Sequence, residues 1–377
     1  MDIVCYSHLR WNFVYQRPQH LMSRFASHFR IFFVEEPLFD VEAAYTELSK
    51  PAENVWVVHP HLPARLSDAE KDELLVFLLS DLFMQFNIIE YIAWYYTPMA
   101  VSFSKNFNPT LVIYDCMDEL SAFNFAPPQL KEQENYLFSV ADIVFTGGYS
   151  LYEVKKHYHN NIHLFPSSID KKHFERARAF PHLTSDQATI PSPRIGFFGV
   201  VDERMDIALL AEMAHKKTDW HFIIIGPVVK IDPQILPQLP NLHFLGQRSY
   251  IELPGYIAGW DVAIMPFAIN AATRFISPTK TPEYLAAGKP VVSTAIHDVV
   301  KFYGDTGLIQ IANDADEFIT CIEYALRQDK NIWLTAVDKA LAGNSWDITC
   351  ENMMYQINIA LWTKKPNSNP LKKDEYV

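Results

Sequence analysis

Residues 261–294 read DVAIMPFAINAATRFISPTKTPEYLAAGKPVVST, and this stretch decides the fold. It opens on an apolar run, DVAIMPF, and closes on another, PVVST, after a Gly288-Lys289-Pro290 turn. Pro278 marks the opening of a helix between them. A strand–helix–strand unit closes as a parallel crossover. Strands buried on both faces of a parallel sheet are apolar at nearly every position, as PVVST is. IVCYS, LVIYDC and HFIIIG elsewhere in the chain have the same character.

Outward from this unit the rhythm continues to both ends. Strands are predicted at 3–7, 31–34, 55–59, 111–116, 142–146 and 162–166, then at 194–200, 221–226, 242–246, 261–266, 290–294 and 308–312. Helices are predicted at 18–28, 68–95, 128–140 and 149–158. The pattern breaks between 167 and 193, where SSIDKKHFERARAFPHLTSDQATIPSP is polar, charged and proline-rich. That break reads as an inter-domain crossing. The expected organisation is a first domain at 1–168, a linker at 169–189 and a second domain at 190–345. An amphipathic helix at 346–362 and a disordered tail at 363–377 follow. The fold class is α/β, with two doubly wound parallel sheets facing across a cleft.

Composition narrows the function. The 377 residues carry a net charge of −12, which disfavours a general nucleic-acid or anionic-membrane partner. No GxGxxG or GxxxxGK[ST] occurs, which weakens an NAD(P)-dependent oxidoreductase reading. The four cysteines form no CxxC pair, and no signal-peptide layout opens the chain. Asp81, Gln85, Asn87 and Glu90 interrupt the apolar stretch 74–97, so it reads as a long buried helix rather than a membrane span. A soluble, cytoplasmic protein is expected, with peripheral contact at the inner face of the membrane left open. His59-Pro-His61 and His157-Tyr-His159 lack carboxylate or cysteine partners at ligand spacing, so no metal and no cofactor is expected.

Residues just after strands are the functional candidates in such sheets. Lys280, at a helix start, opposes the helix dipole and calls for a compensating anion such as a phosphate. Ser277, Thr279 and Asn270 add polar groups around it, and Glu283 lies one turn on, placed to accept hydrogen bonds from ribose hydroxyls. A surface Lys–Glu pair is the plainer reading. Gly199 allows close backbone approach, and Arg204 follows it at a strand-to-helix turn suited to a phosphate clamp. In the first domain, SHLRWNFVYQRPQH places His8, Trp11, Arg17 and His20 where donors and aromatic faces recognise sugars. Asp118, beyond LVIYDC, is a candidate general base, whereas Asp115 caps the turn.

SPTKTPEYLAAGKPVVST, with LHFLGQRSYIELPGYIAGWDVAIMPF before it, resembles the donor-binding half of GT-B glycosyltransferases. IHLFPSSIDKKHF is similar to the stretch those enzymes carry on leaving the first domain. WNFVYQRPQHLMSRFA, YDCMDELSAF and GFFGVVDERMDIALL resemble a bacterial subgroup acting in teichuronic-acid and exopolysaccharide synthesis. The resemblance implies transfer of a sugar from a nucleoside-diphosphate donor, UDP favoured, to a hydroxyl of a glycan or lipid-linked acceptor, without a metal. It implies that the last helix crosses back onto the first domain. It also assigns Arg204 and Lys280 to the diphosphate and Glu283 to the ribose. Retaining members carry a second Glu eight residues earlier, where this chain has Phe275. Retention and inversion therefore both stay open, as do an epimerase and a non-catalytic nucleotide-sugar-binding protein.

Overall fold

The computed structural model describes residues 1–124, 126–180 and 183–364. Nine strands form the first sheet: β1 Asp2–Ser7, β2 Arg30–Glu35, β3 Leu38–Val41, β4 Tyr45–Ala52, β5 Val55–Pro63, β6 Tyr91–Tyr95, β7 Leu111–Cys116, β8 Ile143–Thr146 and β9 Ile162–Leu164. Their order is β3-β5-β2-β1-β6-β7-β8-β9, with β4 antiparallel on β5 and every other pairing parallel. The second sheet holds β10 Arg194–Phe198, β11 His221–Ile225, β12 Leu242–Gly246, β13 Val262–Met265, β14 Val291–Ser293 and β15 Gln310–Ile311. Its order is β12-β11-β10-β13-β14-β15, parallel throughout. Central strands such as β1 and β6 are buried at every residue, which explains their unbroken apolar sequences.

The stretch predicted as one helix over 68–95 is a helix and a strand. The helix runs Asp68–Phe86, opened by a reciprocal cap in which Ser67 Oγ accepts from the Glu70 amide at 3.3 Å and Glu70 accepts from the Ser67 amide at 2.8 Å. Asn87 ends it in the left-handed region, φ 50°. The chain then enters β6, whose YIAWY is as apolar as any buried helix. Only Leu75, Leu78, Leu79 and Leu82 of the helix are buried, while Phe77 and Met84 face outward. Strands β3 and β4, mostly exposed and without a clean apolar alternation, went unpredicted.

The segment 169–189 is tied to the second half. Ile169, Phe174 and Ala177 belong to its core, beside Trp260 and Tyr284. The last helix, Trp346–Lys364, returns to the first sheet, where Trp346, Cys350, Met353 and Ile357 complete the core around Phe25 and Trp94. Residues 363 and 364 are helical; the rest of the tail predicted as disordered, 365–377, lies outside the described residues. Both passages of the chain between the halves run side by side. Ser168 Oγ donates to Asn344 Oδ1 at 2.5 Å, and the Trp346 amide donates to the Ile169 carbonyl at 3.2 Å. Among the described residues no helix is long and apolar enough to cross a membrane.

Candidate active site

The loops after β1, β10, β11 and β12 converge on a cavity of about 980 Å³ between the two sheets. Trp11–Gln16 form the wall from the first half. That loop is held from below by two buried residues that the sequence reading passed over. Gln19 Nε2 donates to the carbonyls of Trp11 at 2.8 Å and Val14 at 3.0 Å, while its Oε1 accepts from the Gln16 amide at 3.1 Å. Glu35, closing β2, accepts from the Trp11 amide at 2.7 Å, Arg10 at 2.9 Å and His59 at 3.0 Å.

Glycines shape the opposite floor. Gly199 has φ +144° and Gly226 φ +146°, a region L-residues avoid. A Cβ on Gly199 would overlap Lys280 Cε, and one on Gly226 would overlap the Gly199 carbonyl. Lys280 therefore lies directly against backbone, with its Nζ 5.7 Å from the Phe197 ring centre and 5.8 Å from that of Phe267. Among the described residues it makes no ion pair or side-chain hydrogen bond. Desolvation first, and Arg204 second, lower its pKa to about 8. Glu283, 4% exposed, is pushed up to about 7 by desolvation, and its Oε2 is buried without a partner. Arg204 is aimed by Asp202, whose carboxylate accepts from its Nη2 at 2.6 Å and its Nε at 3.0 Å.

Six predicted residues line this cavity together: Trp11, Gly199, Arg204, Thr279, Lys280 and Glu283. The others lie elsewhere, and each for a visible reason. Asn270 is exposed, its side chain accepting from the Ala272 and Thr273 amides at 3.0 and 3.1 Å in a local turn. Ser277 faces a separate cavity of about 310 Å³ near the chain crossings, and its carbonyl accepts from Ser167 Oγ at 2.6 Å.

Arg17 is 2% exposed and is spent on a bidentate pair with Asp115, with Nη2 at 2.8 Å, and on the Phe165 carbonyl at 2.7 Å. Asp115 is thus the partner of a buried cation rather than a turn cap. His20 is buried and lies flat on Trp346, with ring centres 4.8 Å apart, and burial pushes its pKa well down. Neither Arg17 nor His20 is free to meet an acceptor. His8 is half-buried at the end of β1, with its pKa lowered to about 4 by desolvation first and Lys230 second.

Asp118 lies in the loop after β7. Desolvation raises its pKa to about 6 against the opposing pull of Arg204 and Arg17, so Arg204 bears on it across the cleft. Its neighbour Glu119 pairs with Lys155 at 2.8 Å and anchors the loop. Phe275 packs against the core of the first half and makes an inter-domain contact. Among the described residues no group of three or more His, Cys, Asp or Glu is placed to hold a metal. His61 does meet carboxylates in space, Asp40 at 2.8 Å and Glu47 at 3.3 Å, as strand neighbours rather than sequence neighbours.

Comparison with solved structures covers nearly the whole chain. A sucrose-phosphate synthase from Thermosynechococcus elongatus superposes with TM-score 0.68 at 15% identity, over 97% of this chain and 100% of that one. An α,α-trehalose-phosphate synthase (UDP-forming) from Burkholderia vietnamiensis does so with TM-score 0.69 at 12% identity, over 95% and 98%. This is the GT-B fold. Within the GT-B chain, residues 192–328 match the family model described as Glycosyl transferases group 1. That match covers β10 to the end of the helix following β15, and with it Gly199, Arg204, Lys280 and Glu283. A protein named as a teichuronic acid biosynthesis glycosyltransferase, TuaH, in Bacillus subtilis (strain 168) is 27% identical over 253 residues. The aligned region spans 63% of this GT-B chain and 64% of that relative's length.

Proposed function

We propose that the chain is a glycosyltransferase moving a sugar from a nucleoside-diphosphate donor to a hydroxyl acceptor in the synthesis of a cell-envelope glycan or exopolysaccharide. The observation that carries this reading is Lys280. Among the described residues it makes no ion pair, and it is set against a glycine floor beside Arg204 in an inter-sheet cavity of nucleotide-sugar size. A diphosphate supplies the missing negative charge. Glu283, carrying a buried oxygen without a partner, takes ribose hydroxyls, and the loop after Gly246 meets the base. Of the residues first considered for the acceptor, Trp11 keeps that assignment.

Asp118 is the proposed base. Its raised pKa keeps it a competent proton acceptor, and Arg204 favours its ionised form. Lys280 and Arg204 stabilise the departing diphosphate without a metal. A UDP donor is favoured by likeness to a trehalose-6-phosphate structure from E. coli bound with UDP-2-fluoro glucose, TM-score 0.66 at 12% identity over 97% of this chain and 100% of that one. Likeness to TuaH, named for teichuronic acid biosynthesis, supports an envelope glycan.

A thermal-shift screen against UDP, GDP, ADP, TDP and their sugars tests the reading. A ligand at 100 times its Kd should stabilise by about 2.7 kcal/mol. A flat response to all of them would overturn it. A second reading, nucleotide binding without turnover, is favoured by Phe275, which stands where retaining members have a glutamate. Analysis of sugar products with donor and acceptor glycans separates the two.

A further inference from the structure

We infer that Phe123 is a positioning residue for the transfer: carried on the same loop as Asp118, its ring docks on Arg204 and Lys230 of the second half and so fixes the base against the diphosphate site. This rests on the proposal that Asp118 is the base and Arg204 a diphosphate ligand. The Phe123 ring centre lies 5.7 Å from the Arg204 guanidinium carbon and 5.7 Å from Lys230 Nζ. Both distances fall within the reach of a cation–π attraction. Arg204 follows β10 and Lys230 follows β11, whereas Phe123 follows β7, so the contact runs from the loops of one sheet to those of the other.

Apolar packing does not hold this end of the loop. Its turn at Leu120–Ala122 buries no residue, and Phe123, though half-buried, belongs to none of the hydrophobic cores among the described residues. A ring placed over two cations and outside every core is held by its π face. The other end of the loop is held by charge. Glu119 pairs with Lys155, which Glu134 also holds at 2.9 Å, and Ser121 Oγ donates to Glu119 at 2.6 Å. Asp118 thus sits between an ionic anchor in its own half and an aromatic contact with the other.

Arg204 has room for both the ring and a phosphate. Asp202 accepts from its Nε and Nη2, while among the described residues Nη1 makes no hydrogen bond and is left for a ligand oxygen. Lys230 holds φ +61°, a left-handed backbone that a lysine adopts at a cost, and among the described residues it makes no ion pair. Its charge also bears on His8 at the end of β1, second to burial in lowering that pKa, so it looks across the cleft. Phe123 meets two cations already turned toward the first half.

The test has two readouts on the full chain. The first is amide exchange, followed by mass spectrometry, of the peptide covering 117–124, whose Ala122 and Phe123 amides donate within the turn at 2.9 and 3.3 Å. Phe123→Leu keeps an apolar side chain and loses the ring. It should speed exchange there by roughly 4- to 25-fold, taking about 2- to 5-fold for each cation–π contact. Lys230→Met should give one such factor, and Phe123→Tyr, which keeps the ring face, should exchange like the parent. The second readout is turnover, measured as UDP released from UDP-sugars in the presence of acceptor glycans. Phe123→Leu should lower kcat by a similar factor with donor KM unchanged, and Phe123→Tyr should recover it. Parent-like exchange in Phe123→Leu, or a loosened loop with parent-like kcat, overturns the inference; an inactive Asp118→Asn then leaves the base reading standing. A nearly active Asp118→Asn, or no turnover by the parent, sinks both.

Discussion

Lys280 and Glu283 stand one helical turn apart on the cavity floor, and no ion pair or hydrogen bond joins them. Each is desolvated, and each has its pKa moved toward its uncharged form, Lys280 down to about 8 and Glu283 up to about 7. A site that keeps two charged groups close yet unjoined is organised for something between them.

The sign of the Glu283 shift gives the first prediction. Unfolded, the carboxyl ionises near 4.5; folded, it resists ionisation until about 7. Its destabilising effect on the apo protein is therefore absent below about pH 4.5, grows through that window and is complete above pH 7. Glu283→Gln should raise the melting temperature at pH 8 and change it little at pH 4.5. Equal melting gains at both values would contradict the assignment.

Removing the Lys280 ammonium should weaken nucleoside-diphosphate binding by roughly 10- to 150-fold, the range for a charge-assisted hydrogen bond of about 1.5–3 kcal/mol. Gly199→Ala should act in the same direction, because its Cβ would overlap Lys280 Cε on a backbone at φ +144°. Titration calorimetry on both variants reads this directly. Parent-like affinity in Lys280→Ala means the diphosphate binds elsewhere.

Asp118→Asn preserves shape and removes the proposed base. Turnover should fall by about 10²–10⁴-fold with donor affinity unchanged. In the parent, kcat should rise as pH passes upward through about 6, where Asp118 ionises. A profile flat between pH 5 and 7, or a nearly active Asn variant, would assign Asp118 a loop-shaping role and favour a mechanism without a protein base.

Arg17 is expected to matter for folding rather than for acceptor binding. Arg17→Met strands Asp115, fully buried, without its cation. Breaking such a pair costs about 3–5 kcal/mol. Urea denaturation should show that loss, while nucleotide affinity in the native protein holds. A variant as stable as the parent would mean the pair is dispensable.

On the proposal that Lys280 and Arg204 supply the positive charge at the diphosphate, turnover should persist in EDTA. Loss of activity in chelator with recovery on adding Mg²⁺ or Mn²⁺ would show that these two cations do not suffice.

The strands of both sheets were legible because burial on two faces leaves continuous apolar runs, as in LVIYDC and HFIIIG. The same property hid β6, since YIAWY suits a buried helix equally well until Asn87 is seen in its left-handed cap. The cavity floor was legible in part because Lys280 and Glu283 are three residues apart on one helix, a relationship spacing alone reports. Arg17 and His20 were misread because their partners, Asp115 and Trp346, are 98 and 326 positions away in the chain. Donor-rich loops look the same whether their donors face a ligand or the protein interior. Gln19 gave no signal: an amide caging a loop is a property of packing, not of pattern.

The return of the last helix to the first sheet has a consequence for biosynthesis. Trp346, Met353 and Ile357 complete a core whose members from Ile3 to Phe145 all leave the ribosome about two hundred residues sooner or more. The N-terminal half must wait, with Phe25 and Trp94 uncovered, until the helix that begins at Trp346 has been translated. A fragment ending at Ser168 should accordingly bind a hydrophobic dye and be digested by protease where the full chain resists both. Chains truncated before Trp346 would be open to quality control, so the returning helix acts as a checkpoint that a product lacking it does not pass.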